Sequence, residues 1–114
     1  MAEVGKEFEK EVAEFQVLQR QLQTIMMQKQ QAKVEGDEAK GALDLLKKGG
    51  EVYMARGPIL VKTSKAEAEK ELGEKTKFLE TRVSILDKQE EKAKGRLNEL
   101  KKVLEEASEK AGAN

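Results

Sequence analysis

The chain has 114 residues, of which 39% are charged and 4% aromatic, and its 22 basic side chains are balanced by 22 acidic ones. Such a composition offers little material for a globular core but is rich in helix-forming residues. Charges of both signs are interleaved, so the sequence lacks the basic block that follows a phosphate backbone, and we expect no nucleic-acid partner.

The sequence contains no cysteine and no histidine. This excludes disulfide bonds and zinc sites built from those residues. Neither the apolar run of a signal peptide nor a segment long and apolar enough to span a bilayer is visible. We therefore expect a soluble, cytoplasmic protein without a membrane partner.

The first arm carries a heptad pattern that predicts a helix over about residues 2–48. Its apolar stripe is only two positions wide in every seven, which is typical of a coiled coil. Lys47-Lys48 followed by Gly49-Gly50 is a helix-stop signal. Seven glutamines between Gln16 and Gln31 are interpreted as a neutral, solvated helix face. The seam positions hold Val4, Phe8, Glu11, Phe15, Leu18, Leu22, Ile25, Lys29, Ala32, Gly36, Ala39, Leu43 and Leu46.

The middle segment, about residues 51–63, changes character. Residues 52–54 and 59–61 are short runs rich in β-branched or aromatic side chains, and Arg56-Gly57-Pro58 between them supplies a turn. These features predict a β-hairpin. A lone hairpin is marginal in water and leaves two open edges, so we expect it to pair with another chain and to act as the oligomerisation element.

The second arm is predicted to be a helix over about residues 65–110. Ser64 and Glu67 have the spacing of a capping box at its start. Two arms of similar length joined by a compact connection favour antiparallel pairing, with facing residue numbers that sum to roughly 112. We predict one mainly α domain over residues 1–114, a long antiparallel two-helix coiled coil with one hairpin between its helices. The second seam holds Leu72, Thr76, Leu79, Val83, Leu86, Glu90, Ala93, Leu97, Leu100, Leu104, Ala107 and Ala111.

Catalytic chemistry has little support in the sequence. Serine hydroxyls are present, but no histidine can act as their base, and Ser64 is better explained as a helix cap. Glu11 and Glu90 occupy seam positions, where we interpret them as setting the register of the coiled coil. We expect no enzyme, no cofactor and no metal site.

Apolar residues cluster near both ends of the chain, where the two arms would form a common tip. In one interpretation they only fill the coiled coil. In the other, a fraying helix end exposes apolar surface that accepts hydrophobic segments of other proteins, and both can hold together. The cluster consists of Val4, Phe8, Val12, Phe15, Leu97, Leu100 and Leu104.

Several segments together resemble a known family. They are Val52-Tyr53, Gly57, Leu60-Val61-Lys62, the helix from Glu67 to Leu72, residues 79–83, residues 86–91 and the glutamine-rich stretch from 16 to 31. Over roughly residues 8–104 the chain resembles the β-type subunit of prefoldin, a co-chaperone of archaea and eukaryotes. The single hairpin is similar to β-type subunits, because α-type subunits carry two.

The resemblance implies an ATP-independent holdase. Two α-type and four β-type subunits would join their hairpins into a β-barrel, and the tips of the coiled coils would hold non-native proteins for a group II chaperonin. The alternative is a structural coiled-coil scaffold, or a homomeric prefoldin-like filament, that binds no clients. By resemblance, the barrel would be built by Val52, Tyr53, Met54, Ile59, Leu60 and Val61, and clients would contact Val4, Phe8, Val12, Phe15, Leu97, Leu100 and Leu104.

Overall fold

The computed structural model describes the backbone of residues 2–112 and the side chains of residues 5–110. Two long helices enclose a two-stranded antiparallel hairpin, which confirms the predicted fold class. The association of this hairpin into a barrel with other chains stays a prediction. The elements are α1 (Ala2–Leu46), β1 (Val52–Arg56), β2 (Ile59–Thr63) and α2 (Lys65–Gly112).

The chain divides into two compact units. The hairpin unit consists of Lys29–Ile85, and the terminal unit consists of the residues up to Gln28 together with those from Leu86 onward. Each unit contains part of α1 and part of α2, and each has a helix-to-helix ion pair, between Glu14 and Arg96 in the terminal unit and between Lys40 and Glu80 in the hairpin unit.

The ion pairs test the predicted register. A sum of 112 puts residue 98 opposite Glu14, and the observed partner, Arg96, lies two positions away. The same rule puts residue 72 opposite Lys40, whereas Lys40 Nζ lies 3.6 Å from Glu80 Oε1. The long side chains of Lys40 and Glu80 bridge part of that offset. The Glu14–Arg96 pair therefore agrees with the predicted register to within two residues, whereas the Lys40–Glu80 pair departs from it by eight, a difference that includes the reach of both side chains.

The core is formed by the predicted seam positions. With the exception of Ala68, every buried apolar residue in the described chain occupies a predicted seam position. Four of the seven buried apolar residues are alanine, so the helices share a narrow contact with little side-chain volume, and each buried leucine contributes a large part of it. The buried seam residues are Ala32, Ala39, Leu79, Leu86, Ala93 and Leu100.

Helix α1 ends two residues before the predicted position. The backbone amides of Lys47, Lys48 and Gly49 each donate to the carbonyl three residues earlier, at 3.1–3.3 Å. Hydrogen bonds between residues three apart are those of a 3₁₀ turn, so the α-helical pattern ends before these residues. Gly49 and Gly50 follow with φ of 82° and 99°, values that glycine adopts readily.

Helix α2 begins with half of the predicted capping box. The Glu67 amide donates to Ser64 Oγ at 3.1 Å, and the Ala68 amide donates to the Ser64 carbonyl at 3.0 Å. The Glu67 carboxylate accepts a hydrogen bond from the Thr63 hydroxyl at 2.9 Å. Glu67 thus ties the last residue of β2 to the first turn of α2.

Replacement of the cap tests how much it stabilises this junction. We expect Ser64→Ala to lower the free energy of unfolding by about 1 kcal/mol, because the Glu67 amide loses its acceptor. Thermal unfolding followed by circular dichroism, at one protein concentration, measures the change. Ser108→Ala, an exposed serine within α2, is the matched control. Equal shifts in the two variants would contradict a capping role for Ser64.

Candidate functional site

The hairpin is a two-stranded sheet with open edges. Val52 lies opposite Thr63, and Arg56 lies opposite Ile59, so the pairing extends over both strands in full. Gly57 and Pro58 form the loop, and the φ of Gly57 is 59°, as the first central position of a type II′ turn requires. Each strand pairs on one side only. The outer backbone groups of both strands are thus available to a further strand.

Most of the predicted assembly residues are exposed apolar side chains. Leu60 is the most exposed of them, at 73% of its maximum. Contiguous apolar surface of this kind usually marks an interaction site rather than a solvated face. Among the six predicted residues, Tyr53, Ile59, Leu60 and Val61 are exposed, and Val52 and Met54 are half-buried.

Polar contacts hold the hairpin in place within its unit. Tyr53 donates its hydroxyl to Glu51 Oε2 at 2.8 Å, which raises the pKa of Tyr53 because the hydrogen bond favours the protonated phenol. Lys62, the cross-strand neighbour of Tyr53, lies 3.7 Å from the same carboxylate. At the other end of β1, Arg56 donates to Glu71 of α2 at 2.5 Å. The contact between Arg56 and Glu71 therefore joins β1 to α2.

The predicted client-binding residues belong to the terminal unit, and their burial divides them. The side chain of Val4 lies outside the described residues. Phe8 is 42% exposed, whereas Leu100 is 1% exposed and belongs to the core. Contact between Leu100 and a client therefore requires the helices to separate, and this part of the prediction depends on fraying. The half-buried members of the set are Val12, Phe15, Leu97 and Leu104.

The terminal unit also has an open groove that sequence reasoning missed. The groove has a volume of about 660 Å³ and lies between α1 and α2. Its apolar lining comes from Val17, Leu18 and Ile25 on α1 and from Ala93 on α2. The space exists because Ala93 has only a methyl group at a seam position where the neighbouring heptads have Leu86 and Leu100. An alanine in a seam of leucines was the available sequence signal.

The glutamine-rich stretch contributes to grooves as well as to a solvated face. Gln16, Gln19 and Gln23 line a second groove together with the apolar side chains of Leu22, Met26 and Leu97. Met26 and the adjacent Met27 are both exposed. Methionine adapts its shape to irregular partners, and neutral glutamines can satisfy polar groups of either kind. The predicted solvated face is thus also the border of an apolar surface.

A bidentate ion pair joins the two helices of the terminal unit. Arg96 Nε donates to Glu14 Oε1 at 2.8 Å and Arg96 Nη2 donates to Glu14 Oε2 at 3.0 Å, while Nη1 donates to Glu99 Oε2 at 3.1 Å. The hydrogen bonds from Arg96 lower the pKa of Glu14, and the two carboxylates raise the pKa of Arg96.

The Glu14–Arg96 pair makes stability dependent on pH in the acid range. Because the pKa of Glu14 is depressed in the folded state, its contribution is fully present above the ordinary value of 4.5 and is lost as pH falls below it. We expect Arg96→Gln to return the pKa of Glu14 towards 4.5 and to lower the unfolding temperature at neutral pH. The two proteins should converge at low pH.

Titration by NMR would measure the pKa of Glu14 directly, and thermal unfolding across the acid range would measure the linkage. Arg82→Gln is the control, since Arg82 is an exposed arginine of the hairpin unit. A depressed pKa of Glu14 that persists in Arg96→Gln would show that another group is its cause.

The acidic residues bear on two expectations, the one about a metal site and the one about a register-setting seam residue. Among the described residues, no three acidic side chains come together as metal ligands. The seam residue Glu90 is buried and lies 3.1 Å from Lys94 Nζ, one turn further along α2. Its proposed role in setting register stays a prediction. In the described part of the chain, no helix combines the length and the apolar character needed to cross a membrane.

Comparison with known proteins identifies the family. A family model described as "Prefoldin subunit" matches residues 9–111. The prefoldin subunit beta of Thermococcus onnurineus is 41% identical over 92 residues, which cover 78% of this chain and 79% of that protein. The prefoldin subunit beta of Archaeoglobus fulgidus is 37% identical over 108 residues, which cover 92% of this chain and 93% of the relative.

Solved structures agree with these matches. The crystal structure of the prefoldin beta subunit from Thermococcus strain KS-1 superposes with a TM-score of 0.77 at 36% identity, covering 89% of this chain and 91% of that one. The beta2 subunit of the same strain shares the fold, with a TM-score of 0.71 at 23% identity. Together these matches point to a family of chaperone subunits rather than a family of enzymes. The chain belongs to the prefoldin subunit family, and its predicted resemblance to the β-type subunit is confirmed.

Proposed function

We propose that this chain is a β-type subunit of a cytoplasmic prefoldin hetero-oligomer that holds non-native proteins without ATP and delivers them to a group II chaperonin. The observation that carries the proposal is the exposed and half-buried apolar surface of the terminal unit, in a family of chaperone subunits. The implied partners are an α-type subunit, in a heterohexamer of two α-type and four β-type chains, and unfolded clients.

Assembly would use the hairpin. Its open strand edges offer backbone hydrogen bonds to a strand from another subunit, and its exposed apolar side chains would become buried in the same step. The polar contacts from Glu51 to Tyr53 and from Arg56 to Glu71 support a hairpin that is ordered before it meets its partner. Ordering in advance reduces the entropic cost of association.

Client capture would use the terminal unit. Phe8 offers exposed aromatic surface, and the grooves between the helices offer sites for apolar side chains. Each contact buries modest area and is weak by itself. Several subunits joined in one assembly raise the effective concentration of these contacts, so a client is held by avidity. Weak individual contacts also allow stepwise release to a chaperonin without ATP.

Light scattering from a chemically unfolded test protein, diluted into buffer with this chain and an α-type partner, tests the proposal. We expect the assembled protein to suppress aggregation without ATP. Phe8→Gln should weaken client binding by about fivefold, because a partly exposed aromatic ring is removed. Phe78→Gln is the matched control, since Phe78 is 66% exposed but belongs to the hairpin unit.

The outcomes separate the candidate functions. A helical, assembled sample that suppresses no aggregation would favour the structural scaffold. Assembly of this chain alone into long polymers would favour the homomeric filament. Equal loss of protection in Phe8→Gln and Phe78→Gln would show that clients do not select the terminal unit.

A further inference from the structure

We propose that the groove lined by Val17, Leu18, Ile25 and Ala93 selects client segments that combine apolar side chains with carboxylates. This inference rests on the proposed holdase function and specifies which unfolded segments the terminal unit prefers. Two features carry it, namely an apolar groove of peptide-binding size and a rim whose charge is of one sign.

The lining explains why an apolar side chain would enter. Leu18 and Ile25 are half-buried seam residues, Ala93 is buried, and Val17 is exposed at the side. At about 660 Å³ the groove has the volume of a typical ligand pocket. Because Val17 is exposed and Leu18 and Ile25 are only half-buried, an incoming side chain would cover apolar surface that the helices themselves do not bury.

The rim explains why the segment would be acidic. Arg20, Lys92 and Arg96 line the groove, and none of its lining residues is acidic. Arg96 forms ion pairs with Glu14 and Glu99, which neutralise its charge. The side chains of Arg20 and Lys92 form no ion pair or hydrogen bond with another described residue. They are therefore the two cations available to a partner.

This local charge is not a consequence of the overall composition. The chain as a whole has 22 basic and 22 acidic residues, yet the polar side chains that line this groove are either cationic or neutral. A carboxylate next to the entering apolar side chain would meet Arg20 or Lys92, whereas a lysine at the same place would be repelled. Such complementarity mainly determines which partners bind.

Three labelled peptides of one length test the preference on the full-length assembled chain. They share the same leucine positions and differ in having glutamate, glutamine or lysine between them. Fluorescence anisotropy measures the dissociation constants. We expect the glutamate peptide to bind about fivefold tighter than the glutamine peptide, and the lysine peptide to bind weakest, from two exposed ion pairs. The preference should diminish as salt concentration rises.

Variants locate the effect. Arg20→Gln with Lys92→Gln should abolish the preference, so that the dissociation constants of the glutamate and glutamine peptides become equal. Lys101→Gln with Lys102→Gln makes the same change in net charge at exposed lysines of α2 outside the groove, and it should keep the preference. Val17→Ser should raise the dissociation constants of all three peptides by the same factor. Circular dichroism verifies that every variant is folded.

Failure of this inference differs from failure of the holdase proposal. If the protein suppresses aggregation but binds the three peptides equally or not at all, the charge preference is wrong and the holdase function stands. An unchanged preference in Arg20→Gln with Lys92→Gln overturns the assignment to this groove. If no peptide binds and no aggregation is suppressed, both proposals fail.

Discussion

Ile59→Glu combined with Leu60→Glu is expected to prevent assembly of the subunit. Both side chains are exposed on β2, and in the proposed assembly they become buried against another chain. A carboxylate buried in an apolar interface without a partner is strongly unfavourable. If each substitution weakens the free energy of association by about 2 kcal/mol or more, the dissociation constant should rise by about a thousandfold. Native mass spectrometry with the α-type partner would record the loss of the oligomer.

A matched pair of substitutions controls for the added charge. Phe78 and Ile85 are exposed apolar residues one heptad apart on α2, in the same unit as the hairpin. Phe78→Glu with Ile85→Glu therefore adds the same charge and removes similar apolar area, but on a helix face. We expect this control to assemble normally. If it dissociates as completely as the hairpin variant, the interface includes α2 and is not confined to the hairpin.

The core was predictable because a coiled coil decides burial by heptad position alone. Leu79, Leu86, Ala93 and Leu100 lie seven residues apart on α2, and all four are buried. No knowledge of the partner helix is needed for that result, since a seam position faces inward whatever lies opposite. The hairpin was predictable for a similar reason, because its turn chemistry and its short β-branched runs are local signals.

The difference in burial between the two seam positions of each heptad was harder to predict than the seam itself. Leu97, Leu100 and Leu104 are all seam leucines, yet only Leu100 is fully buried. Leu97 and Leu104 occupy one seam position of the heptad, and Leu100 occupies the other, which it shares with Leu79, Leu86 and Ala93. The two seam positions look equivalent in the sequence, and which of them lies deeper depends on how the partner helix packs against α2.

The groove required the same missing information. An alanine such as Ala93 creates space only if the opposite helix does not fill it, as Leu18 and Ile25 leave it open. Exposed apolar residues off the seam have a clearer sequence signal. Met27 and Phe78 lie outside both seam positions, so a seam facing inward leaves them on the surface. Apolar residues outside a heptad seam are therefore a direct guide to interaction surface.

Leu100→Ala is expected to lower the free energy of unfolding by about 2–5 kcal/mol. Leu100 is the largest fully buried side chain among the described residues, so its truncation removes buried apolar contacts and leaves a cavity in a narrow core. Chemical denaturation followed by circular dichroism measures the loss. Val103→Ala, at a 41% exposed position on the same helix, should change stability by no more than about 0.5 kcal/mol.

The same variant decides whether Leu100 belongs to the client-binding set. If Leu100 only holds the helices together, Leu100→Ala should protect clients normally at temperatures where the terminal unit remains folded. If the helices separate and expose Leu100 to clients, protection should fall under those same conditions, because the side chain that clients contact is gone. Leu104→Ala provides the comparison, since Leu104 is half-buried and offers surface without helix separation. Loss of protection in Leu104→Ala alone would place the client surface on the half-buried residues and confine Leu100 to the core.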